Sequence, residues 1–348
     1  MPRLTIVVTP RERHTGVLET LDALDAHTRE PFDLKVIDLG GPRRLLRKVR
    51  ARLAGRPGTE VIELGRCVPL EAVGRVAPRI RTRFTFLLDN DVVVEPGWCE
   101  PLLALAEAGA PIVSPVILER DRPDRAGRKS THFLAGDLQV RRGAGGARLE
   151  EQGRHRGLPL EALPREPVEG DLLEMHAVLL KTALLQRLDL PPLTVREHVE
   201  VVLQAKALGA GVVSTAQSVV TYDNLHARMT FADLSFFRYR WSPEATRRSS
   251  ELFERRWGER FEDVAGFVAW QGRRQRYVTA RACGVPSKWA NRISRWLARR
   301  RYGAEPSEAR RDAVPNRWFD ELPGGVPARR DREAPCVHAP EALPAGAP

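Results

Sequence analysis

The sequence predicts an α/β protein built on a Rossmann-like, mostly parallel sheet flanked by helices. Two patterns lead to that class. Between residues 4 and 116, short β-branched apolar runs alternate with amphipathic stretches, as in strand–helix–strand units with right-handed crossovers. Polar groups then fall at the ends of three of those runs: Thr9-Pro10-Arg11, Asp38 and Asp89-Asn90-Asp91. Parallel sheets gather their ligands at the carboxyl ends of strands, so three different strands converge on one crevice. At 348 residues the chain can bury a large core.

Residues 4–9 read as a buried strand, followed by a polar loop, 10–14. Val17, Leu18, Leu21 and Leu24 share a helical face. Residues 34–39 form a second strand, stopped by Gly40-Gly41-Pro42, and a basic helix runs over 43–53. A third strand covers 60–64, a helix starts near Pro69, and a fourth strand over 84–88 ends in Asp89-Asn90-Asp91. Pro96 is suited to open the next helix in its first turn, and 110–116 is again strand. Residues 118–168, rich in Arg, Gly and Pro, read as an insertion over the sheet with an antiparallel excursion around 131–140. A helix over 195–208 stops at Gly209 and Gly211, and 211–222 is strand. Residues 231–257 are largely helical, with aromatics that pack a core or leave one ring to stack on a ligand. Beyond 304 the composition predicts disorder.

Composition narrows the function. Hydrophobic residues make up 42% and charged residues 29%, and 56 Lys+Arg against 45 Asp+Glu leave a formal charge of +11. Such an excess suits nucleic acid, anionic membrane or anionic ligands. It is concentrated late in the chain: residues 264–304 hold ten Lys or Arg and no Asp or Glu. There Trp289, Ile293, Trp296 and Leu297 fall on one helical face, with Lys288, Arg292, Arg295 and Arg299 around them. Two readings stay open for 284–301: a helix lying on an anionic membrane surface, or a helix packed on the rest of the protein with its basic side in water. No recognised nucleic-acid-binding module is present, which argues against nucleic acid as the partner. Phosphate-loop and G-x-G-x-x-G signatures are absent, which argues against kinases, dehydrogenases and nucleotidyl transfer. Cys67, Cys99, Cys283 and Cys336 lie far apart without metal-ligand spacing. With no secretory signal and no apolar run of roughly 20 residues, a cytoplasmic location is expected, at most peripheral at the inner face of a membrane.

Asp89 and Asp91, at i and i+2 after an apolar strand, can face one pocket when the chain turns there. Mg²⁺ and Mn²⁺ take oxygen ligands and keep substrate phosphates as the rest of their shell. Taken alone, such a triplet is more often a solvated turn, since Asp and Asn favour turns; the apolar strand before it and residues 92–98 after it reverse that reading.

The segment Leu87-Leu88-Asp89-Asn90-Asp91-Val92-Val93-Val94-Glu95-Pro96-Gly97-Trp98 resembles the metal-site segment of family 2 glycosyltransferases with the GT-A fold. Thr9-Pro10-Arg11 and Val36-Ile37-Asp38-Leu39-Gly40 resemble that family's nucleotide-binding strand ends. Residues 197–209 match its E-D-x-D-L-x-x-R-x-x-x-A-G helix in register, and the resemblance covers about residues 3–257. It implies an inverting transferase domain over 1–257, a basic helical extension over 258–303 and a tail over 304–348. It further implies a UDP- or GDP-sugar donor, an unknown acceptor hydroxyl, and Mn²⁺ or Mg²⁺ on the donor diphosphate. Asp38 would contact the base beside Thr9, Pro10 and Arg11. Asp89 would approach the ribose or the metal and Asp91 would bind the metal, with His226 a further metal ligand. The family's catalytic base is an acid where this chain has His198. His198 is then base, metal ligand or acceptor contact, with Glu197 or Glu200 as the alternative base.

Overall fold

The computed structural model describes residues 2–120, 129–143, 146–222, 229–258, 260–261 and 264–302. His226 and the predicted tail lie outside them. The chain opens on β1 (Leu4–Thr9), buried at every position as a strand covered on both faces must be. Helix α1 (Val17–His27) buries Val17, Leu21 and Leu24. β2 (Phe32–Asp38), α2 (Arg43–Leu53) and β3 (Thr59–Glu63) follow. Only Val49 and Leu53 of the basic α2 are buried. α3 (Pro69–Val76) begins on proline, where the missing N–H costs nothing, and leads into β4 (Phe84–Asp89), again wholly buried.

After Asp91 the chain forms β5 (Val92–Val94). Pro96 does not open the next helix. Trp98 donates its backbone N–H to the Glu95 carbonyl (3.3 Å) with Gly97 at φ +75°, a turn that seats the Trp98 indole 4.4 Å from the Phe86 ring. Helix α4 (Cys99–Glu107) therefore starts only after it. Beyond lie β6 (Ile112–Arg120), β7 (Lys129–Phe133), β8 (Ala135–Gly143), β9 (Gly146–Arg154), β10 (Val168–Gly170), β11 (Ala177–Lys181) and α5 (Thr182–Leu185). The chain continues through α6 (Glu197–Ala207), β12 (Val212–Tyr222), α7 (Phe231–Arg240), α8 (Pro243–Trp257), β13 (Arg260–Phe261), α9 (Val264–Ala282) and α10 (Ser287–Tyr302).

The main sheet runs β10-β12-β6-β11-β4-β1-β2-β3, with β5 on β12 and β7 on β6. β3, β2, β1 and β4 are parallel, as are β6 and β12. β11 enters antiparallel between β4 and β6, a strand the sequence does not announce, because its short apolar run Ala177-Val178-Leu179-Leu180 fits a buried helix equally well. The excursion over the sheet is a long β8–β9 hairpin, and β13 pairs with β9 to tie the chain's later part to it. α9 packs on α7 and α8, and α10 packs on α9. Among the described residues no helix is long and apolar enough to cross a membrane.

Candidate functional site

Strand register places the three polar strand ends together. Thr9 stands opposite Asp89 across β1 and β4, and Asp38 ends the next strand. Asn90 locks the turn. Its N–H donates to the Thr9 carbonyl (3.0 Å) and its side-chain amide to the Arg13 carbonyl (2.7 Å), while its Oδ1 accepts from Arg11 N–H (3.4 Å). The loop after β1 is also clasped from the far end of the chain. Asp233, in a capping box with Thr230 at the start of α7, accepts from the N–H groups of His14 (2.8 Å) and Thr15 (3.1 Å) and from the Thr15 hydroxyl (2.8 Å).

Gly16 closes this arrangement. A Cβ there would stand 2.6 Å from the Asn90 carbonyl oxygen and 3.2 Å from Asp91 Cα. Neither atom can retreat without moving the turn. Gly16→Ala is expected to cost about 1–3 kcal/mol as overpacking, read as a lowered melting temperature. An unchanged melting temperature would show that the turn is not pinned.

Asp89 and Asp91 are both buried. Asp89 Oδ2 lies 2.7 Å from His176 Nδ1 and 3.3 Å from Arg11 Nε; Asp91 Oδ2 lies 3.9 Å from Arg13 Nε. Burial, opposed by Arg11 and reinforced by Asp91, pushes the Asp89 carboxyl well above the usual carboxylate range. Burial, with Arg11 beside it, holds His176 well below the usual imidazole range. With its proton on Nδ1, neutral His176 donates to the Asp89 carboxylate. Its ring stacks 4.2 Å from Tyr222, at the carboxyl end of β12, with His132 alongside at 5.6 Å.

A buried ion network runs behind the carboxylates. Glu197, the first residue of α6, is paired with Arg11 and with Arg240 Nη2 (2.7 Å). Fully buried Arg240 also reaches Glu12 (3.4 Å) and lies 4.1 Å over Trp241. Arg274, from α9, adds a second guanidinium to Glu12 (3.2 Å). Burial lowers Arg11's affinity for its proton, but Glu197 and Asp89 outweigh it and keep that guanidinium charged. Glu197 is thereby held as a counter-ion. Glu200, the other acid offered as a base, points elsewhere, accepting from Trp257 Nε1 (2.6 Å) and Arg256 Nε (2.9 Å).

His198 faces the insertion, where its Nε2 is 2.7 Å from Glu151 Oε2 on β9. Arg196, at φ +60° just before α6, is paired with the same carboxylate. Burial, opposed by Glu174, lowers the His198 pKa, and Arg196 and Arg11 push it the same way. At the carboxyl end of β2, Asp38 Oδ1 accepts from Gly41 N–H (2.9 Å), and Pro10, His14, Asp38, Gly41 and Leu45 line a cleft. Thr9, Arg11, Asp89 and Glu197 line a second, smaller one beneath the turn.

Thr9, Pro10, Arg11, Asp38, Asp89, Asp91 and Glu197 thus gather at one edge of the sheet, with His198 on the insertion side. Glu12, Arg13, Glu151, His176, Asp233, Arg240 and Arg274 complete the surroundings. None of these is among the residues the sequence singles out, since a charged residue's partner cannot be read from its neighbours in the chain.

Among the described residues no three acidic, histidine or cysteine side chains form a metal cage. Two buried carboxylates fit a divalent cation shared with substrate phosphates, and the raised Asp89 carboxyl is what an added positive charge relieves.

No protein-family model and no curated protein matches the chain. Among solved structures, one described as GalNAc-T7 with UDP, GalNAc and Mn²⁺ aligns with a TM-score of 0.50 at 13% identity, over 86% of this chain and 57% of that one. The chain spans little more than half the length of that protein. At such identity the likeness concerns architecture alone, and it shows that this chain has a GT-A-like fold.

Proposed function

We propose that the protein is a family 2-type glycosyltransferase that moves a hexosyl unit from a UDP- or GDP-sugar to an acceptor hydroxyl, with inversion, assisted by Mn²⁺ or Mg²⁺. The observation that carries this reading is the register of Thr9 against Asp89 beside Asp38. It supports a single donor crevice, with Asp91 two residues beyond Asp89 in the buried turn. Residues 1–257 are assigned to the transferase and 258–303 to a basic extension, which contributes Arg274 to the Glu12 network. The test is thermal stabilisation by UDP and GDP with and without Mn²⁺, followed by slow donor hydrolysis across a panel of nucleotide sugars. Stabilisation that needs the metal supports the reading.

Asp38, held toward the cleft by its own turn, is assigned to the base, with Thr9, Pro10 and Arg11 along the nucleotide. Asp91 and Asp89 would hold the cation, which offsets charge on the departing diphosphate and orients it. His176 and Arg11 fix the Asp89 carboxylate. His226 remains a proposed further ligand.

His198 is assigned as the base. Its Nε2–H donates to Glu151, which leaves the Nδ1 lone pair to accept the acceptor hydroxyl's proton. Glu197, already bridging Arg11 and Arg240, is assigned to positioning. His198→Ala should lower kcat by about 10²–10⁴; unchanged turnover would remove His198 from the mechanism. Because burial lowers this imidazole's pKa, activity should rise with pH only through a value below the ordinary histidine range and stay flat above it. Glu151→Gln should move that acid limb to lower pH, since a lost carboxylate disfavours imidazolium, and a limb that stays in place would exclude Glu151 as the positioning residue.

One observation favours a second reading, a binding protein on a degenerate transferase fold. Arg11 and Arg13 already stand against both carboxylates. Equal stabilisation by UDP with and without Mn²⁺ would decide for it.

A further inference from the structure

Helix α10 is folded with its large apolar residues outward. It meets α9 through Ala290, Ser294 and Ala298, all buried, at the i, i+4, i+8 spacing of one narrow face. Trp289, Ile293 and Trp296 stay 54%, 43% and 51% exposed on another face. Leu297 lies half-buried between the two. A helix that merely capped the protein would bury its tryptophans and put its alanines in water. Here the small residues allow close helix packing and the rings are left in solvent.

Lys288, Arg292, Arg295, Arg299, Arg300 and Arg301 surround the exposed rings, and all are themselves exposed. Arg292 and Arg300 lie over Trp289 (5.7 Å) and Trp296 (4.1 Å), with the guanidinium beside the ring. α9 and α10 contain no acidic residue of their own, so this face is strongly basic. From this geometry we infer that α10 is an in-plane anchor that lays Trp289, Ile293 and Trp296 into the interface of an anionic lipid bilayer. Amphipathic indoles sit at the headgroup boundary, and the arginines reach the lipid phosphates around them. A second copy of the chain is a poor occupant, because an isologous contact would set two such basic faces against each other. The inference does not rest on the proposed sugar transfer.

The experiment is sedimentation of the full chain with vesicles of phosphatidylcholine, with or without phosphatidylglycerol, at low and high salt. Quenching of tryptophan fluorescence by bromine-labelled acyl chains is read in parallel. Binding to the anionic vesicles alone, weakened by salt and accompanied by quenching, is expected. Trp289→Ser with Trp296→Ser should abolish the quenching. Arg292→Gln, Arg295→Gln and Arg299→Gln together should weaken binding roughly a hundredfold. These positions are exposed, so unchanged circular dichroism and melting temperature serve as fold controls. Ending the chain after Tyr302 should leave binding intact or raise it. Absence of binding to anionic vesicles in both the full and the shortened chain would overturn the inference. So would binding that ignores the substitutions, a dimer dispersed by the tryptophan changes, or salt-sensitive RNA binding without lipid binding.

Discussion

Asp91→Asn should reduce donor turnover by about 10²–10³, the loss typical when preorganised stabilisation of a developing anion is removed, here the cation that Asp91 would hold. Asparagine keeps the volume of the buried side chain and cannot carry the negative charge that a hard cation needs. The extra thermal stabilisation that Mn²⁺ adds to UDP should disappear with it, while the metal-independent part, contributed from the Asp38 cleft, stays. The two readouts separate a metal role from a folding role. The carboxylate stands 3.9 Å from Arg13 and inside the turn that Asn90 locks, so a purely structural function would appear as a lower melting temperature without ligand. Wild-type turnover in Asp91→Asn would sink the donor-site assignment.

The largest effect on stability is expected at Arg240. Its guanidinium is fully buried, pairs with Glu197 and Glu12, and covers Trp241. Arg240→Met preserves most of the packing and removes the charge. Glu12 then keeps only Arg274, Glu197 keeps only Arg11, and a carboxylate-rich pocket stays out of water. Breaking a buried ion pair from one side costs about 3–5 kcal/mol, most of it the penalty of the abandoned partner. Chemical denaturation should show a loss of that order. Arg274→Gln should cost less, because Arg274 is only part-buried and Glu12 retains Arg240 at 3.4 Å. If Arg240→Met were no less stable than Arg274→Gln, the network would not be the clamp joining loop, α6 and α7. Arg240→Met should also lower activity, because Glu197 then loses one of the two guanidiniums that fix it beside Arg11, which lies against Asp89.

Much of this site lies in local sequence. Thr9, Asp38 and Asp89 are visible because each ends an apolar run, and a parallel sheet obliges such ends to meet. α6 is equally legible, since its apolar residues and the stop at Gly209 are periodic. Glu151 is a different case: it sits in a hairpin that lacks a motif, and nothing along the chain links it to His198, 47 residues on. Arg240 is masked in another way, since Phe237-Arg238-Tyr239-Arg240-Trp241 reads as a helix with an aromatic core. Only the packing of α7 shows that this arginine points inward.

The sequence by itself determined the α/β class, the order of the parallel strands' polar ends, and Asp89-Asn90-Asp91 as the turn at which to look for a ligand. Periodicity and strand length are local properties, and they suffice for that. The tertiary structure alone decided that Glu197 is a counter-ion, that His198 faces Glu151, and that α10 turns its tryptophans outward. Each of these depends on which distant charge or small side chain shares a buried space. The cost of burying a charge is set by its neighbours in that space and not by its neighbours along the chain.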